Sequence, residues 1–282
     1  MKVLTLGNGF IGNHLPYERS EHKLDLSEKH IENILDLYRP DCIINAIGFC
    51  GVPNVDQCEV LRVKTATINT ALPILLAGVC EKRSIHLIHI GSGCIFFGPS
   101  PNCMEISYLG KEVIDIGWKE NDFANAKSYY SKTKYACDLA LGQMKNVLTL
   151  RIRMPVSNQN NPRNFINKIR GYKQVIDAQN SMTFVDDLVR AVDWFVKNQK
   201  TGIYHVINPQ TLSAARVMEE YQKYVPAHSF QKITENELDN ITVAKRSNCV
   251  LNGQKLKDEG FVMTNSNEAL INCMKQYVDN IK

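Results

Sequence analysis

The stretch VLTLGNGFIG, residues 3–12, decides the fold. It reads as a buried strand that runs out at Gly7, and Gly7, Gly9 and Gly12 then follow in the G-x-G-x-x-G spacing. Directly after an N-terminal strand, glycines so placed let the chain turn tightly and let a pyrophosphate approach backbone N–H groups at a helix start. Gly7, Gly9, Phe10, Ile11 and Gly12 are therefore the first cofactor candidates. The bland alternative is a glycine-rich strand-to-helix turn without a ligand. A dinucleotide fold also expects an acidic ribose ligand roughly 20 residues further on. Here Pro16 cuts the helix short, and the acidic residue in a strand-like context is Asp25, thirteen positions after Gly12. Arg19 and Ser20 offer partners for a 2′-phosphate instead, which favours NADPH and leaves NADH open.

Working outward, short apolar runs alternate with helical ones. The strand candidates are KVLTLG (2–7), DCIINAIG (41–48), SIHLIHIG (84–91), VLTLRIR (147–153) and GIYHVIN (202–208). Between the first two lies SEKHIENILDLYR (27–39), with Ser27 placed to cap a helix and Ile31, Ile34, Leu35 and Tyr38 on one stripe. Strands that alternate with helices and are apolar throughout predict an α/β fold, a doubly wound parallel sheet of the Rossmann type covered on both faces. After about residue 155 the chain turns polar and turn-rich, as in SNQNNPRN (157–164), and strands become sparse. The expected organisation is a cofactor-binding domain over 1–155 and a smaller, mainly substrate-binding region over 156–282, with about 183–208 returning to the first domain.

Bulk properties narrow the function classes. The 282 residues are 44% apolar and 22% charged, as in ordinary soluble proteins. A net charge of +4, with no RGG tract, zinc spacing or basic tail, gives no reason to expect a nucleic-acid partner or a metal. The longest apolar run, ALPILLAGVC (71–80), is short of the about 20 residues a bilayer needs and holds Pro73, so no membrane span is expected. Nine cysteines without paired spacing read as free thiols in a reducing compartment, the cytoplasm.

Two further stretches carry chemistry. SYYSKTKYACDLAL (128–141) sets Tyr130 and Lys134 one helical turn apart on one face. A lysine there lowers the phenol's pKa and readies it to hand a proton to a carbonyl oxygen. HIGSGCIFFG (89–98) ends a strand at Gly91 and leaves Ser92 and Cys94 two residues apart, facing one way if the chain stays extended. A glycine loop, a serine after a middle strand and then Tyr-x-x-x-Lys resemble the extended short-chain dehydrogenase/reductase superfamily. That resemblance implies a Ser92–Tyr130–Lys134 triad, in which Lys134 also holds the nicotinamide ribose. It implies too that NAIG (45–48), with Asn45 and Ala46, and Asn69 in ATINT form the cofactor wall.

A narrower likeness lies in VPNVDQCE (52–59), GCIF (93–96), YSKTK (130–134), RIRMPVSNQNNPRNFINKI (151–169), NSMT (180–183) and RSN (246–248). These are similar to the bifunctional 3,5-epimerase/4-reductases of UDP-L-rhamnose synthesis, known from the C-terminal half of plant rhamnose synthases and from giant viruses. The likeness runs from the glycine loop to about residue 256, and the shortened segment after Gly12 is its main departure. It implies a UDP-4-keto-6-deoxy sugar substrate, NADPH and a homodimer. The protons at C3 and C5 of that sugar are acidic because the C4 ketone is next to both, and a base removing either leaves an enolate that Ser92 and Tyr130 would stabilise. Cys94 is the expected base, a free thiol with an ordinary pKa of about 8.5 that a nearby cation would help ionise. Lys168, in the matching helix position, is the expected proton donor on the opposite face. Between Arg151 and Ile176 six basic residues, Arg151, Arg153, Arg163, Lys168, Arg170 and Lys173, stand without an acidic one. That suits a nucleotide diphosphate. Arg163 and Arg246 are the phosphate candidates, with Asn164 and Thr183 along the sugar. Two other readings remain at this point: a reductase without epimerase activity, which needs neither Cys94 nor Lys168, and a non-catalytic NADP-binding regulatory subunit.

Overall fold

Strand β1 (Val3–Leu6) is buried along its whole length, as is β3 (Cys42–Asn45), which pairs with it in parallel from Val3–Cys42 to Leu6–Asn45. Such all-buried strands require cover on both faces. The computed structural model describes residues 1–107 and 111–281, grouped in two compact units. The first holds Met1–Ile95, Ala126–Arg151 and Val192–Tyr204, and the second Phe96–Asn125, Ile152–Ala191 and His205–Lys282. The sequence expectation divides the chain near residue 155, whereas here residues 96–125 group with the second unit.

The first unit is built on a six-stranded sheet. Its other strands are β2 (Glu18–Arg19), β4 (His86–Ser92), β5 (Val147–Ile152) and β6 (Gly202–His205), in the order β2-β1-β3-β4-β5-β6. β2, β1, β3 and β4 are mutually parallel. Because β2 lies on one side of β1 and β3 on the other, the order reverses at β1 and β3, and ligands of open α/β sheets bind at the carboxyl ends of strands at such a point. All five strands expected from sequence are present, with ends trimmed by turns.

Helix α1 (Glu28–Tyr38) starts where predicted: the Ser27 side chain accepts the His30 N–H at 3.2 Å, and Ile31, Ile34 and Leu35 are buried. It packs with Leu4, Leu6, Ile43 and Leu87 into one core. The second helical run, α2 (Arg62–Lys82), departs from expectation. Pro73 does not interrupt it, and the run is long and apolar enough, by length and composition, to cross a membrane. Leu72, Leu76, Ala77 and Cys80 on it are buried in the unit. Pro73 is tolerated because it follows a π-turn, Thr67–Ala71, where the regular hydrogen-bond ladder is already broken. Helix α3 (Tyr129–Leu141) is capped by Ser128, which accepts the Ser131 N–H at 3.2 Å.

In the second unit, short parallel pairs, Pro155–Val156 with Thr183–Phe184 and Gln174–Ile176 with Gln231–Ile233, pack with helices Ala214–Gln222 and Ser266–Asp279 over a core around Met182, Met218, Leu270 and Tyr277. An antiparallel hairpin joins Cys103–Ser107 to Lys111–Asp115. Arg153 organises this unit: fully buried, it donates to Ser247 Oγ at 2.6 Å, Ser247 O at 2.9 Å and Asn180 Oδ1 at 2.5 Å. A buried guanidinium is tolerable only with such partners, and removing it strands several acceptors at once. Arg153→Met is expected to cost about 3 kcal/mol and to lower the thermal midpoint by roughly 6 °C or more. A calorimetric midpoint within about 2 °C of the parent would contradict this role.

Candidate active site

The glycine loop closes on β3. A Cβ on Gly12 would stand 2.0 Å from Gly7 O, and one on Gly7 would stand 2.9 Å from Ala46 C, with Gly7 already at φ +108°. Gly9 faces open space. Among the described residues the N–H groups of Gly9, Phe10 and Ile11 find no acceptor in the chain, which leaves them for an anion. The expected helix start is absent, however. Gly12–His14 form a single 3-10 turn and Leu15 is extended again, because too few residues separate β1 from β2. Asp25 lies in an exposed loop and not on a strand, and its carboxylate accepts the Ser27 N–H at 2.8 Å ahead of α1. Arg19 donates to Asn13 Oδ1 at 2.9 Å, and Ser20 is buried at the end of β2.

The wall after β3 is fixed by two asparagines. Asn45 Oδ1 accepts the Ile47 N–H at 3.0 Å. Asn69, set in the π-turn, grips Phe49 from both sides at 2.8 Å, accepting its N–H and donating to its carbonyl. Gly48 then passes close to Lys134, whose Nζ would be 3.7 Å from a Cβ there.

Ser92 closes β4, but Cys94 is not on an extended strand. It sits in a turn, and Ser92 Oγ accepts the Cys94 N–H at 3.1 Å. A serine turn, not strand alternation, brings the two together. From the helix side Ser131 Oγ donates to the Cys94 carbonyl at 2.6 Å. Among the eight described cysteines Cys50 and Cys94 are half-buried and the rest buried, so Cys94 is not in a dry interior.

Tyr130 and Lys134 share the α3 face as predicted. Burial pushes the Tyr130 phenol well above its ordinary value of 10.0, with the charges of Cys94, Cys50 and Cys58 adding to the rise and a hydrogen bond with Ser92 opposing it. The expected lowering by Lys134 is not seen: Lys134 is not among the influences on the phenol, and desolvation leads them. Lys134 is buried itself, its Nζ 3.4 Å from Ile90 O, and burial lowers its pKa against the raising influence of Cys137, Asp138 and Cys50. Ser92, Cys94, Tyr130 and Lys134 thus converge at the carboxyl end of β4, with Cys50 as a neighbour that sequence reading missed.

In the second unit, Lys168 is half-buried on the short helix Phe165–Ile169, and Asn164 caps that helix. Asn164 is fully buried and engaged, donating to Ser157 O at 2.6 Å and Gln159 O at 2.8 Å while accepting the Ser157 N–H. Thr183 is likewise buried, donating to Val206 O at 2.6 Å and accepting the Arg153 N–H at 3.0 Å. Both therefore hold the fold instead of lining an open sugar site. Arg246 is half-buried and donates to Ala244 O at 2.7 Å, and Arg163 is half-buried beside Asn161. The basic run between residues 151 and 176 is only partly a ligand surface. Arg151 is buried against Asp138, Arg153 is buried as above, and Arg170 lies over the Tyr277 ring. The missed Asp138 was visible in one respect: it stands four residues after Lys134, on the same face.

Comparison with known proteins agrees with this geometry. Residues 9–279 match the family described as the RmlD substrate binding domain. A bifunctional dTDP-4-dehydrorhamnose 3,5-epimerase/dTDP-4-dehydrorhamnose reductase of Arabidopsis thaliana is 39% identical over 240 residues, 84% of this chain and 77% of that protein. A trifunctional Arabidopsis thaliana UDP-glucose 4,6-dehydratase/UDP-4-keto-6-deoxy-D-glucose 3,5-epimerase/UDP-4-keto-L-rhamnose reductase is 35% identical across 91% of this chain, which spans 38% of its length. The crystal structure of a UDP-rhamnose synthase from Acanthamoeba polyphaga mimivirus superposes with a TM-score of 0.87 at 27% identity, covering 98% of this chain and 99% of that one. A family match over residues 9–279, together with a relative 39% identical across 84% of this chain, shows that the chain belongs to the RmlD family, with the bifunctional 4-dehydrorhamnose epimerase/reductases.

Proposed function

We propose that the protein converts UDP-4-keto-6-deoxyglucose to UDP-L-rhamnose by 3,5-epimerisation followed by NADPH-dependent reduction of the C4 ketone. The carrying observation is the half-buried Cys94, held by Ser92 and Ser131 beside the Tyr130 phenol. The glycine loop fits a dinucleotide, since Cβ atoms at Gly7 and Gly12 would fill the turn and three N–H groups lack acceptors. Gly7, Gly9, Phe10, Ile11 and Gly12 would hold its pyrophosphate, and Lys134 its ribose. Bound there, a reduced nicotinamide supplies hydride to the ketone carbon.

The residues do the rest. Ser92 and Tyr130 donate hydrogen bonds to the C4 oxygen and polarise it, which acidifies the neighbouring C–H bonds. Cys94, as thiolate, takes a proton from C3 or C5, and the electron pair moves onto the C4 oxygen as an enolate. Return of a proton from the opposite face, by Lys168 on the strength of the resemblance, inverts the centre. When the carbonyl carbon is reduced, Tyr130 passes its proton to the oxygen. Its raised pKa means that it still holds that proton at neutral pH. A reductase without epimerase activity would need only Ser92, Tyr130 and Lys134. The cytoplasm and a homodimer are part of this proposal, the first supported by the eight described free thiols; sedimentation tests the second.

Tyr130→Phe should cut reduction by roughly 100-fold or more while leaving NADPH affinity within about threefold, measured by stopped assay and fluorescence titration. The difference in phenolate absorbance between parent and Tyr130→Phe should stay at zero up to pH 10, the ordinary value; ionisation near neutrality would show that burial does not govern this phenol. Incubation of substrate and NADPH in heavy water, read by NMR, should place deuterium at C3 and C5. Cys94→Ala should abolish that labelling and still allow hydride transfer to the unepimerised ketone, and Lys168→Met should block inversion. Normal labelling in the Cys94 variant would mean that another group is the base, whereas no labelling by the parent would leave a simple reductase. Running UDP and dTDP substrates side by side decides the nucleotide.

A further inference from the structure

One turn beyond Lys134 on α3 lies a buried ion pair to which the proposed chemistry assigns no role. Arg151 Nε, on β5, donates to Asp138 Oδ2, on α3, at 2.7 Å, with the side chains 2% and 1% exposed. An isolated structural pair would be expected to satisfy both carboxylate oxygens, because a buried lone pair without a donor is costly. Asp138 Oδ1 has no hydrogen-bond partner among the described residues. That oxygen lies 3.5 Å from where a Cβ on Gly91 would stand, and the room exists only because residue 91 is glycine, whose Cβ would also meet Thr149 Cγ2 at 2.8 Å. Lys134 Nζ reaches the carbonyl of Ile90, the residue just before Gly91. The unpartnered oxygen and the buried ammonium therefore flank consecutive residues of β4, immediately ahead of Ser92.

We infer that Asp138, anchored by Arg151, is a positioning residue that keeps Lys134 charged and directed at the Ser92 end of β4. The inference rests on the proposed reading of Tyr130 and Lys134 as the reductive pair. Among the described residues Lys134 makes one loose hydrogen bond, at 3.4 Å, and such burial alone drives an ammonium toward its neutral form. The groups facing it are few. On α3 they are Cys137 and Asp138, and in the loop after β3 the thiol of Cys50. On β4 stands His89, kept neutral by burial with Lys134 adding to that effect. Arg151 meets the cluster through the Asp138 carboxylate. Of these Asp138 is the carboxylate, and burial raises its own pKa while Arg151 and Lys134 pull it back toward the ionised form. Arg151 thus opposes that rise and turns the carboxylate, so that its second oxygen is left toward the Lys134 end of β4 without a direct ion pair that would draw the ammonium away from the reacting end.

The test is a pH titration of the Lys134 side chain in the full chain, using lysine labelled with carbon-13 at Cε and assigned by loss of the resonance in Lys134→Met. Asp138→Asn should lower the Lys134 midpoint by about one pH unit, a tenfold loss of proton affinity. In Asp138→Asn/Arg151→Met the pair is replaced by groups that do not strand a buried guanidinium, so it should fold even where the single variant does not. Its midpoint should still fall, by less. A folded single or double variant that retains the parent midpoint overturns the inference, since a purely structural pair would move thermal stability and not this titration. Ketone reduction by the parent is assayed separately: its absence would sink the proposed function and leave the midpoint comparison standing.

Discussion

The site depends on one stitch between a strand end and a helix. Ser131 Oγ donates to the Cys94 carbonyl while Ser92 Oγ accepts the Cys94 N–H. Ser131 is itself fixed by Ser128, whose hydroxyl lies 2.8 Å away and also caps α3. The cap that starts the helix therefore also sets the height of the thiol above the sheet. Because Tyr130 and Lys134 are on that same helix, any shift of α3 along β4 would carry the phenol, the ammonium and the Cys94 backbone together. Relative positions inside the site are preserved even if the loops around it change, and a positional tolerance of this kind is what acid–base chemistry at a single carbonyl requires.

A second constraint acts at the ends of β1 and β3. Loops after β1 and β3 approach so closely that Gly7 and Gly12 cannot carry side chains. The shortened connection from β1 to β2 removes the usual helix at this point, yet the closest part of the loop keeps its free N–H groups. Shortening has thus fallen on the segment that would meet the far part of a dinucleotide and spared the part that meets its phosphates. Asn69, set in the π-turn, holds Phe49 on the facing wall.

Much of this was legible in the sequence because it is local. The strands, the Ser27 cap and the glycine loop follow from patterns a few residues long, and the structure reproduces them. Tyr130 and Lys134 follow from helical spacing. The failures share a cause, which is that a side chain's partner can be far along the chain. Thr183 and Asn164 look like sugar ligands until Val206, Arg153 and Ser157 are seen to engage them. Arg151 and Arg153 look like a phosphate surface until burial and their partners Asp138, Asn180 and Ser247 are known. Asp25 looks like a ribose ligand by distance alone, and in the fold it serves the start of α1. Even a correct pairing had the wrong reason, since Ser92 and Cys94 are joined by a turn.

In the proposed chemistry the electrostatics of the phenol divide the labour between Tyr130 and Cys94. A half-buried phenol whose pKa lies above its ordinary value is a reservoir for a proton and a poor base. It suits the reductive step, where a proton must be delivered to oxygen, and it cannot also remove a carbon-bound proton at neutral pH. If the centres beside the ketone are inverted by this chain, the base has to be a different group reaching the same carbonyl. In the proposed chemistry that group is Cys94, a half-buried cysteine whose N–H is held by Ser92 beside the phenol. The two groups also oppose each other. A thiolate at Cys94 raises the phenol further, so forming the base tightens the acid's hold on its proton, and the phenol remains a hydrogen-bond donor to the enolate until reduction calls for its proton.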